Sequence, residues 1–306
     1  MAELHFSGTW TAIVTPFTPD GEAVDFAALD RLVEDQIEGG VTGLVPCGTT
    51  GEAPTLTEEE QLAVIKRVAQ VAKGRAGVLA GTGSFSTKKT IAASKAALAA
   101  GADAVMVVMP YYSKPSQDGL REHLLAVARA VTAPVVLYNV PSRTVADLSA
   151  ETVERVCNGA PNVVAIKDAT GNVLRCQEMV RRLGERLAVL SGDDALTVGM
   201  MASGARGVIS VTSNVRPAAV SQVTTLAGKG DYPGALRAHL ALLELHGIMF
   251  AEPNPAPAKA ALALGGKMNA AVRLPLVPAT DALRGQIAEV LARFDARAGQ
   301  GQGASS

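Results

Sequence analysis

The sequence predicts one large α/β fold, a (β/α)8 TIM barrel with a C-terminal helical extension. Two observations indicate the barrel: eight short apolar runs typical of buried strands, and a helix-length segment after each run. A third observation, further helical patterns after the eighth run, indicates the extension. For 306 residues of alternating strand and helix the alternative is a doubly wound open sheet. Continuous alternation without a break in composition favours closure into a barrel.

The predicted strands are short apolar runs that suit burial on both faces. They comprise residues 10–14, 43–46, 77–80, 104–109, 135–139, 163–167, 187–190 and 207–210. Two of the intervening helices have clear start signals. Thr57 is a helix N-cap followed directly by acidic residues, and Ser149 is an N-cap before another amphipathic run. These signals place helices after the second and fifth strands, as a barrel requires.

The chain continues beyond the eighth strand with more helix than one closing helix needs. Helical patterns occupy residues 217–227, 232–250, 257–264 and 281–293, and the proline-rich stretch 252–257 predicts a loop between two of them. We therefore predict a catalytic barrel domain over residues 1–226 and a C-terminal helical bundle over 227–298. The stretch "GQGQGASS" predicts a disordered tail at 299–306.

Composition and charge exclude several classes of partner. Lys plus Arg total 28 against 29 Asp plus Glu, without long blocks of like charge, which argues against nucleic acid or anionic membrane. No apolar run reaches the ~20 residues that a membrane-spanning helix needs. The N-terminus lacks the pattern of a secretory signal, and three scattered cysteines, Cys47, Cys157 and Cys176, indicate reduced thiols. The expected location is the cytoplasm.

The ends of the predicted strands carry the chemically interesting residues. In a (β/α)8 barrel, active-site side chains lie at the C-terminal ends of strands or just beyond them. Here those ends carry "GTTGE" (48–52), "PYYSKP" (110–115), "YNVPSR" (138–143), "SGDD" (191–194) and "ISVTSN" (209–214), and Lys167 ends the sixth strand. We expect polar side chains from five or six strands to converge on one mouth of the barrel.

Lys167 is the candidate nucleophile, because among the lysines it alone ends a strand-like apolar run. Burial disfavours the charged form of an amine and exposes its lone pair, which can attack a ketone to form a Schiff base. The structural alternative is an ion pair with Asp168 or with a glutamate across the barrel. Tyr138, one strand away, favours the catalytic interpretation, since a phenol near an imine carbon can shuttle protons.

Two further features fit a small carboxylate ligand, although each alone is weak. The turn "GTTGE" offers the hydroxyls of Thr49 and Thr50 and exposed backbone amides, but glycine-rich turns after strands are common. Arg143 lies in a loop over the mouth, where its planar fork suits a bidentate carboxylate, but loop arginines are usually solvated. The four histidines lie apart from each other and from the cysteines, so no metal-ligand spacing is present.

Taken together, the motifs resemble a known family. "GTTGE", "PYYSKPSQDGL", "LYNVPSRT", "AIKDATGN", "LSGDD", "GVISVTSN" and "EPNPAPAK", in this order, are similar to the dihydrodipicolinate synthase (4-hydroxy-tetrahydrodipicolinate synthase) family. Its members condense pyruvate with L-aspartate 4-semialdehyde on the diaminopimelate route to lysine. The resemblance runs from about Phe6 to Arg293, nearly the whole chain. It implies a barrel lyase that needs no metal or organic cofactor, because the Schiff-base nitrogen itself accepts the electrons.

The resemblance also implies roles for individual residues. Lys167 would form the Schiff base with pyruvate and Tyr138 would donate and accept protons, in a relay completed by Thr49 and Tyr112. Tyr112 would reach into the site of a neighbouring subunit, which implies a homodimer and, as usual in the family, a homotetramer. The residues implied to bind substrate are Thr50 for the pyruvate carboxylate, Arg143 for the carboxylate of the semialdehyde, Ile209 through its backbone, and Gly192 at the pocket wall.

Two alternatives remain for the function. Another Schiff-base aldolase of the same superfamily would act on N-acetylneuraminate or a 2-keto-3-deoxy sugar acid, but these lyases generally lack "PSR" after the tyrosine. A catalytically silent keto-acid-binding protein is disfavoured, because the whole relay is present. The choice between the two lyases depends on Arg143.

One departure from the family concerns regulation. Lysine-inhibited members are similar to one another in a polar pocket at the dimer interface, which here corresponds to Ala53, Pro54, Glu58, Gln61, Phe85, Lys89 and Tyr111. Phe85 replaces an asparagine, and Lys89 replaces the glutamate that would meet the ammonium of the effector. The like charge at Lys89 should repel lysine, so the sequence predicts weak or absent inhibition by lysine.

Overall fold

Eight parallel strands close into a barrel in the computed structural model, which describes residues 4–303 and their side chains up to residue 297. Each strand pairs with the next along the chain, and β8 pairs with β1 through Gly8↔Gly207 to Thr11↔Ser210. The strands are β1 (Gly8–Thr11), β2 (Gly43–Leu44), β3 (Gly77–Gly81), β4 (Ala104–Val108), β5 (Val135–Asn139), β6 (Val163–Asp168), β7 (Ala188–Ser191) and β8 (Gly207–Ser210). The predicted closed barrel is confirmed and the open sheet is excluded.

Helices follow the strands in the order that the sequence predicts. They are α1 (Phe26–Glu38), α2 (Glu58–Ala72), α3 (Thr87–Ala99), α4 (Gln117–Arg129), α5 (Pro141–Thr144), α6 (Ala150–Gly159), α7 (Val173–Leu183), α8 (Thr197–Ala202), α9 (Pro217–Gly228), α10 (Tyr232–Ile248), α11 (Ala256–Leu264) and α12 (Asp281–Gly303). Both predicted N-caps are confirmed: Thr57 forms a capping box with Glu60, and the Ser149 hydroxyl accepts from the Thr152 amide. None of the described helices is long and apolar enough to cross a membrane.

The barrel interior is filled by side chains, and the position of one of them, Trp10, explains why two neighbouring strands carry glycine. Trp10 of β1 is fully buried inside the barrel. A Cβ atom at Gly43 would lie 2.3 Å from the Trp10 ring, and one at Gly77 would lie 2.8 Å from it. Glycine is therefore required on β2 and β3 because the indole occupies the space that their side chains would need.

The C-terminal helices share a hydrophobic core with the barrel. Leu242 and Leu245 of α10 and Ile287 of α12 belong to the same buried cluster as Ile13 and Leu29 of the barrel. The predicted domain division at 226/227 falls in the last turn of α9, which packs against β1 and α10. The extension therefore packs directly against the barrel.

The end of α12 differs from the sequence expectation. Its backbone stays helical to Gly303, whereas the sequence predicts a disordered tail from residue 299. The alanines and glutamines between residues 296 and 302 have high helix propensity, which offsets the low helix propensity of the glycines among them. The remainder of the expected tail, 304–306, lies outside the described residues.

Candidate active site

Lys167 and Tyr138 lie side by side at the carboxyl end of the barrel. They are register partners on the adjoining strands β6 and β5, and each is only 5% exposed. Alternate residues of a strand face opposite sides, and Ala165, two residues before Lys167, belongs to the barrel interior together with Tyr138. The Lys167 Nζ atom lies 4.4 Å from the centroid of the Tyr138 ring. The predicted convergence of these two side chains is confirmed.

Asp168 is not the ion-pair partner of Lys167. Its carboxylate accepts hydrogen bonds from Arg175 Nε at 2.8 Å and from Thr170 Oγ1 at 2.6 Å, on the outer side of the strand. Among the side chains that the structure describes, no carboxylate lies within 4.0 Å of the Lys167 ammonium position. The structural alternative of a Lys167 ion pair is therefore wrong: within residues 4–297 the amine lies buried beside a phenol and has no counter-ion.

The turn "GTTGE" (48–52) follows the carboxyl end of β2. Thr50 is buried and Thr49 is half-buried, while Glu52 ends the turn with a left-handed φ of 54°. The Glu52 amide donates to the Thr49 carbonyl at 3.1 Å. A non-glycine residue with positive φ is strained, so contacts elsewhere must hold this conformation.

Those contacts come from the C-terminal extension, which no sequence motif links to the turn. Asn254, in the loop before α11, donates from Nδ2 to Thr50 Oγ1 at 3.0 Å. Lys259 on α11 is fully buried and forms an ion pair with Glu52, whose other carboxylate oxygen accepts from the Arg273 amide at 3.0 Å. Asn254 and Lys259, five residues apart, thus hold the turn at the Thr50 hydroxyl and at the Glu52 carboxylate.

The environment of Lys259 explains why it tolerates burial. Its Nζ atom donates to the Ala271 carbonyl at 2.9 Å and lies 4.0 Å from the centroid of the Phe17 ring. Burial nevertheless lowers the pKa of Lys259 to about 8, and Glu52 opposes that shift. A signal was present in the sequence: Lys259 is the only charged residue between positions 253 and 266.

Ile209 and Gly192 lie where barrel topology predicts. Ile209 on β8 is buried in the barrel interior, in register with Trp10. Gly192 follows β7, and a Cβ atom there would lie 2.6 Å from the Ala169 Cβ atom. A larger residue would therefore clash at this position. The buried Asp194 holds the end of β8, because its carboxylate accepts from Ser210 Oγ at 2.5 Å and from the Val211 amide at 2.8 Å.

Arg143 and Tyr112 are outside the buried centre. Arg143 is exposed on the short helix α5, directly after β5 and Tyr138. Tyr112 is 93% exposed with a φ of 72°, so its ring packs against almost nothing in its own chain. Next to it, Tyr111 makes an edge-to-face contact with Phe85 at a centroid distance of 5.5 Å.

The cysteines are inert packing residues, as the sequence indicates. All three are buried and free. Burial raises the pKa of Cys47 to about 12 and that of Cys157 and Cys176 to about 11. Among the histidines, His123, His239 and His246 are also buried, and the rings of the last two lie 5.1 Å apart.

Comparison with known proteins gives the family. The sequence model of the dihydrodipicolinate synthetase family matches residues 5–293. A curated 4-hydroxy-tetrahydrodipicolinate synthase from Sorangium cellulosum is 73% identical over 297 residues, which are 97% of this chain and 99% of that protein.

Solved structures agree with this result. The 4-hydroxy-tetrahydrodipicolinate synthase of Methylacidiphilum fumariolicum SolV superposes with a TM-score of 0.94 at 40% identity, covering 97% of this chain and 98% of the other. The dihydrodipicolinate synthase of Acinetobacter baumannii, solved in complex with pyruvate, gives 0.93 at 44% identity, covering 95% and 99%.

The closed barrel and the buried lysine beside a tyrosine define a (β/α)8-barrel enzyme. The chain belongs to the dihydrodipicolinate synthetase family, and it is a lyase of that family.

Proposed function

We propose that the chain condenses pyruvate with L-aspartate 4-semialdehyde to give 4-hydroxy-tetrahydrodipicolinate, through a Schiff base on Lys167. The observation that supports this most directly is the buried Lys167 amine beside Tyr138, which has no carboxylate partner among the side chains that the structure describes. Two relatives support the proposal: the Acinetobacter baumannii enzyme was solved in complex with pyruvate, and the Sorangium cellulosum protein is named for the product 4-hydroxy-tetrahydrodipicolinate.

In the first half-reaction, unprotonated Lys167 adds to the ketone carbon of pyruvate. The carbinolamine loses water while Tyr138 supplies a proton to the leaving hydroxyl, and an iminium ion forms. Loss of a methyl proton then gives an enamine, with the iminium nitrogen as electron sink. Thr49 and Tyr112 complete the proton relay in this proposal, and Thr50 binds the pyruvate carboxylate.

In the second half-reaction, the enamine carbon attacks the aldehyde of the semialdehyde. Arg143 binds the carboxylate of this second substrate, and its exposed position over the barrel mouth leaves the guanidinium free to do so. The amine of the second substrate then attacks the imine carbon, closes the ring and displaces Lys167. The backbone of Ile209 and the small Gly192 line the pocket that holds the intermediate.

A trapping experiment tests the Schiff base. The protein is incubated with pyruvate and borohydride, and the reduced adduct is located by peptide mass spectrometry. We expect one adduct, on Lys167. A wild-type protein that stays unlabelled at Lys167 would refute the mechanism.

We expect Arg143→Ala to lose condensation by roughly 100-fold or more while pyruvate trapping changes little, because the guanidinium meets only the second substrate. Initial rates with aspartate semialdehyde and trapping rates with pyruvate alone check this. Arg31→Ala, an exposed arginine on α1, is the matched control. Equal losses in both assays would show that Arg143 shapes the pocket and does not bind the second substrate. Efficient cleavage of a 2-keto-3-deoxy sugar acid by the wild type would favour the alternative, a sugar-acid lyase of the same superfamily.

We also propose a homodimer that shares Tyr112, assembled in pairs into a homotetramer. The nearly complete exposure of Tyr112 supports the first interface, and the exposed apolar row Leu236, Leu240 and Leu243 on α10 supports the second. These surfaces would be covered in such an assembly.

Sharing of Tyr112 predicts complementation between two inactive variants. A subunit with Tyr112→Ala keeps Lys167 and can receive Tyr112 from a partner carrying Lys167→Ala. After co-refolding at equal amounts, random pairing should restore roughly a quarter of the wild-type sites. Activity that stays at the level of the separate variants would mean that Tyr112 acts within its own chain.

Inhibition by lysine should be weak or absent. Lys89 is exposed beside Phe85, and the Phe85 ring packs on Tyr111, so a cationic effector would meet like charge and an apolar edge. The measurement is initial rate against lysine concentration. The double variant Phe85→Asn/Lys89→Glu should gain sensitivity to lysine. Half-maximal inhibition of the wild type below about 1 mM lysine, which corresponds to a binding free energy stronger than roughly −4 kcal/mol, would contradict the proposal.

We propose a cytoplasmic location for the enzyme. Three buried, free cysteines suit a reducing compartment, because no disulfide is needed to stabilise a barrel of this size.

A further inference from the structure

Asn254 is a buried polar residue that contacts the proposed pyruvate site from the C-terminal extension. It is only 7% exposed, and its Nδ2 atom donates to Thr50 Oγ1 at 3.0 Å. Its Oδ1 atom is buried without a hydrogen-bond partner among the described residues. A buried asparagine with one bond donated and none accepted is costly, so a role beyond packing is expected of it.

The direction of the bond between Asn254 and Thr50 fixes the direction of the Thr50 proton. A threonine hydroxyl has one proton and two lone pairs. Because one lone pair of Thr50 Oγ1 accepts from Asn254, the O–H bond points away from the amide. In the described part of the chain, no acceptor within hydrogen-bond distance takes this proton. A carboxylate at the barrel mouth would therefore meet a hydroxyl that is already oriented to donate.

The same segment of chain is anchored at its other end. Lys259, five residues after Asn254, forms the buried ion pair with Glu52, two residues after Thr50. The loop and the turn are thus joined at two points, which keeps Asn254 opposite Thr50. An accepted hydrogen bond also polarises the hydroxyl and strengthens the bond that it donates.

We propose that Asn254 is a positioning residue that orients the Thr50 hydroxyl to donate to the carboxylate of pyruvate. This inference rests on the proposed function. It predicts that changes at Asn254 weaken the binding of pyruvate and leave the later steps at saturating pyruvate nearly unchanged.

Three variants test the inference: Asn254→Ala, the isosteric Asn254→Asp, and Thr50→Val. Pyruvate is titrated in the borohydride trapping assay, without the second substrate, and KM and kcat are then measured in the full reaction. We expect Asn254→Ala to raise the half-saturating pyruvate concentration roughly 3- to 10-fold, with kcat within about two-fold. Asn254→Asp should raise it by roughly 10-fold or more, because a carboxylate can only accept from Thr50 and turns its proton away.

A double-variant cycle separates orientation from packing. If Asn254 acts through the Thr50 hydroxyl, Asn254→Ala should add almost nothing in the Thr50→Val background. If the two substitutions instead raise the half-saturating pyruvate concentration by factors that multiply in the double variant, the inference is overturned. A half-saturating pyruvate concentration in Asn254→Asp equal to that of the wild type would also overturn it. A fall in kcat with unchanged KM would also overturn it.

Two readouts keep the outcomes distinct. Trapped adduct per subunit counts competent sites in each variant, so partial unfolding lowers the amplitude and leaves the half-saturating concentration unaffected. Absence of any Lys167 adduct in the wild type would refute the proposed function itself. Trapping that is normal in the wild type and unaltered in the Asn254 variants would refute only the positioning role.

Discussion

Replacing Lys167 by methionine is expected to lower kcat/KM by at least roughly 1,000-fold and to abolish trapping by borohydride. Methionine fills the buried space next to Tyr138 but has no amine to add to the ketone, so the covalent route is lost. Lys167→Arg should be equally inactive, because a guanidinium keeps the charge and is not nucleophilic at neutral pH. Steady-state rates and the mass of the borohydride-treated protein measure both effects.

The control for Lys167 is an exposed lysine, Lys66, whose change to arginine should leave the rate within about two-fold. Tyr138→Phe keeps the ring beside the amine and removes only the hydroxyl. It should slow turnover by roughly 100- to 10,000-fold while Lys167 remains slowly trappable. Retention of trapping in Lys167→Met would mean that a different lysine is the nucleophile.

Replacing Lys259 by methionine is expected to lower the free energy of unfolding by about 3 to 5 kcal/mol, although it lies outside the catalytic pair. The change leaves the Glu52 carboxylate buried without its ion-pair partner, and among the described residues only the Arg273 amide then donates to it. Denaturant unfolding at one fixed protein concentration measures the loss. Lys267→Met, which breaks the exposed pair with Asp35, should cost no more than about 1 kcal/mol.

The double variant Glu52→Gln/Lys259→Met should be more stable than Lys259→Met by about 1 to 3 kcal/mol, because no unpaired charge remains. A double variant less stable than the single one would show that Glu52 stabilises the turn independently of Lys259.

The lowered pKa of Lys259 adds a pH signature. With a pKa of about 8 in the folded protein and about 10.5 in the unfolded chain, the unfolded state binds more protons between these pH values. The free energy of unfolding of the wild type should therefore rise with pH across this window, relative to the double variant. A flat difference between the two proteins would contradict the lowered pKa.

The sequence was a reliable guide to the barrel and to the Lys167–Tyr138 pair. Alternation of apolar runs and helix patterns predicted all eight strands, with boundaries correct to within three residues. The pair could be predicted because parallel strands of a barrel end at one mouth, and adjacency along the chain made β5 and β6 neighbours in the sheet.

The contribution of the extension could not be predicted in the same way. Asn254 and Thr50 are 204 residues apart, and no periodicity in the sequence relates them. By sequence, Lys259 lies in an ordinary helical pattern (257–264), although an isolated charge within an apolar helix indicates burial. The free energy of a buried lysine depends on whether a carboxylate faces it, and the partner of Lys259 lies in another layer of the molecule.

By itself, the sequence determined the class of fold, the strand order and the family, because these depend on local periodicity and on motifs read in order. Only the tertiary structure decided which charges are paired. It pairs Asp168 with Arg175 and Glu52 with Lys259, and it leaves Lys167 without a counter-ion among the described side chains. The physical reason is that strand periodicity fixes the face on which a side chain lies, whereas pairing depends on which distant segments meet when the barrel closes.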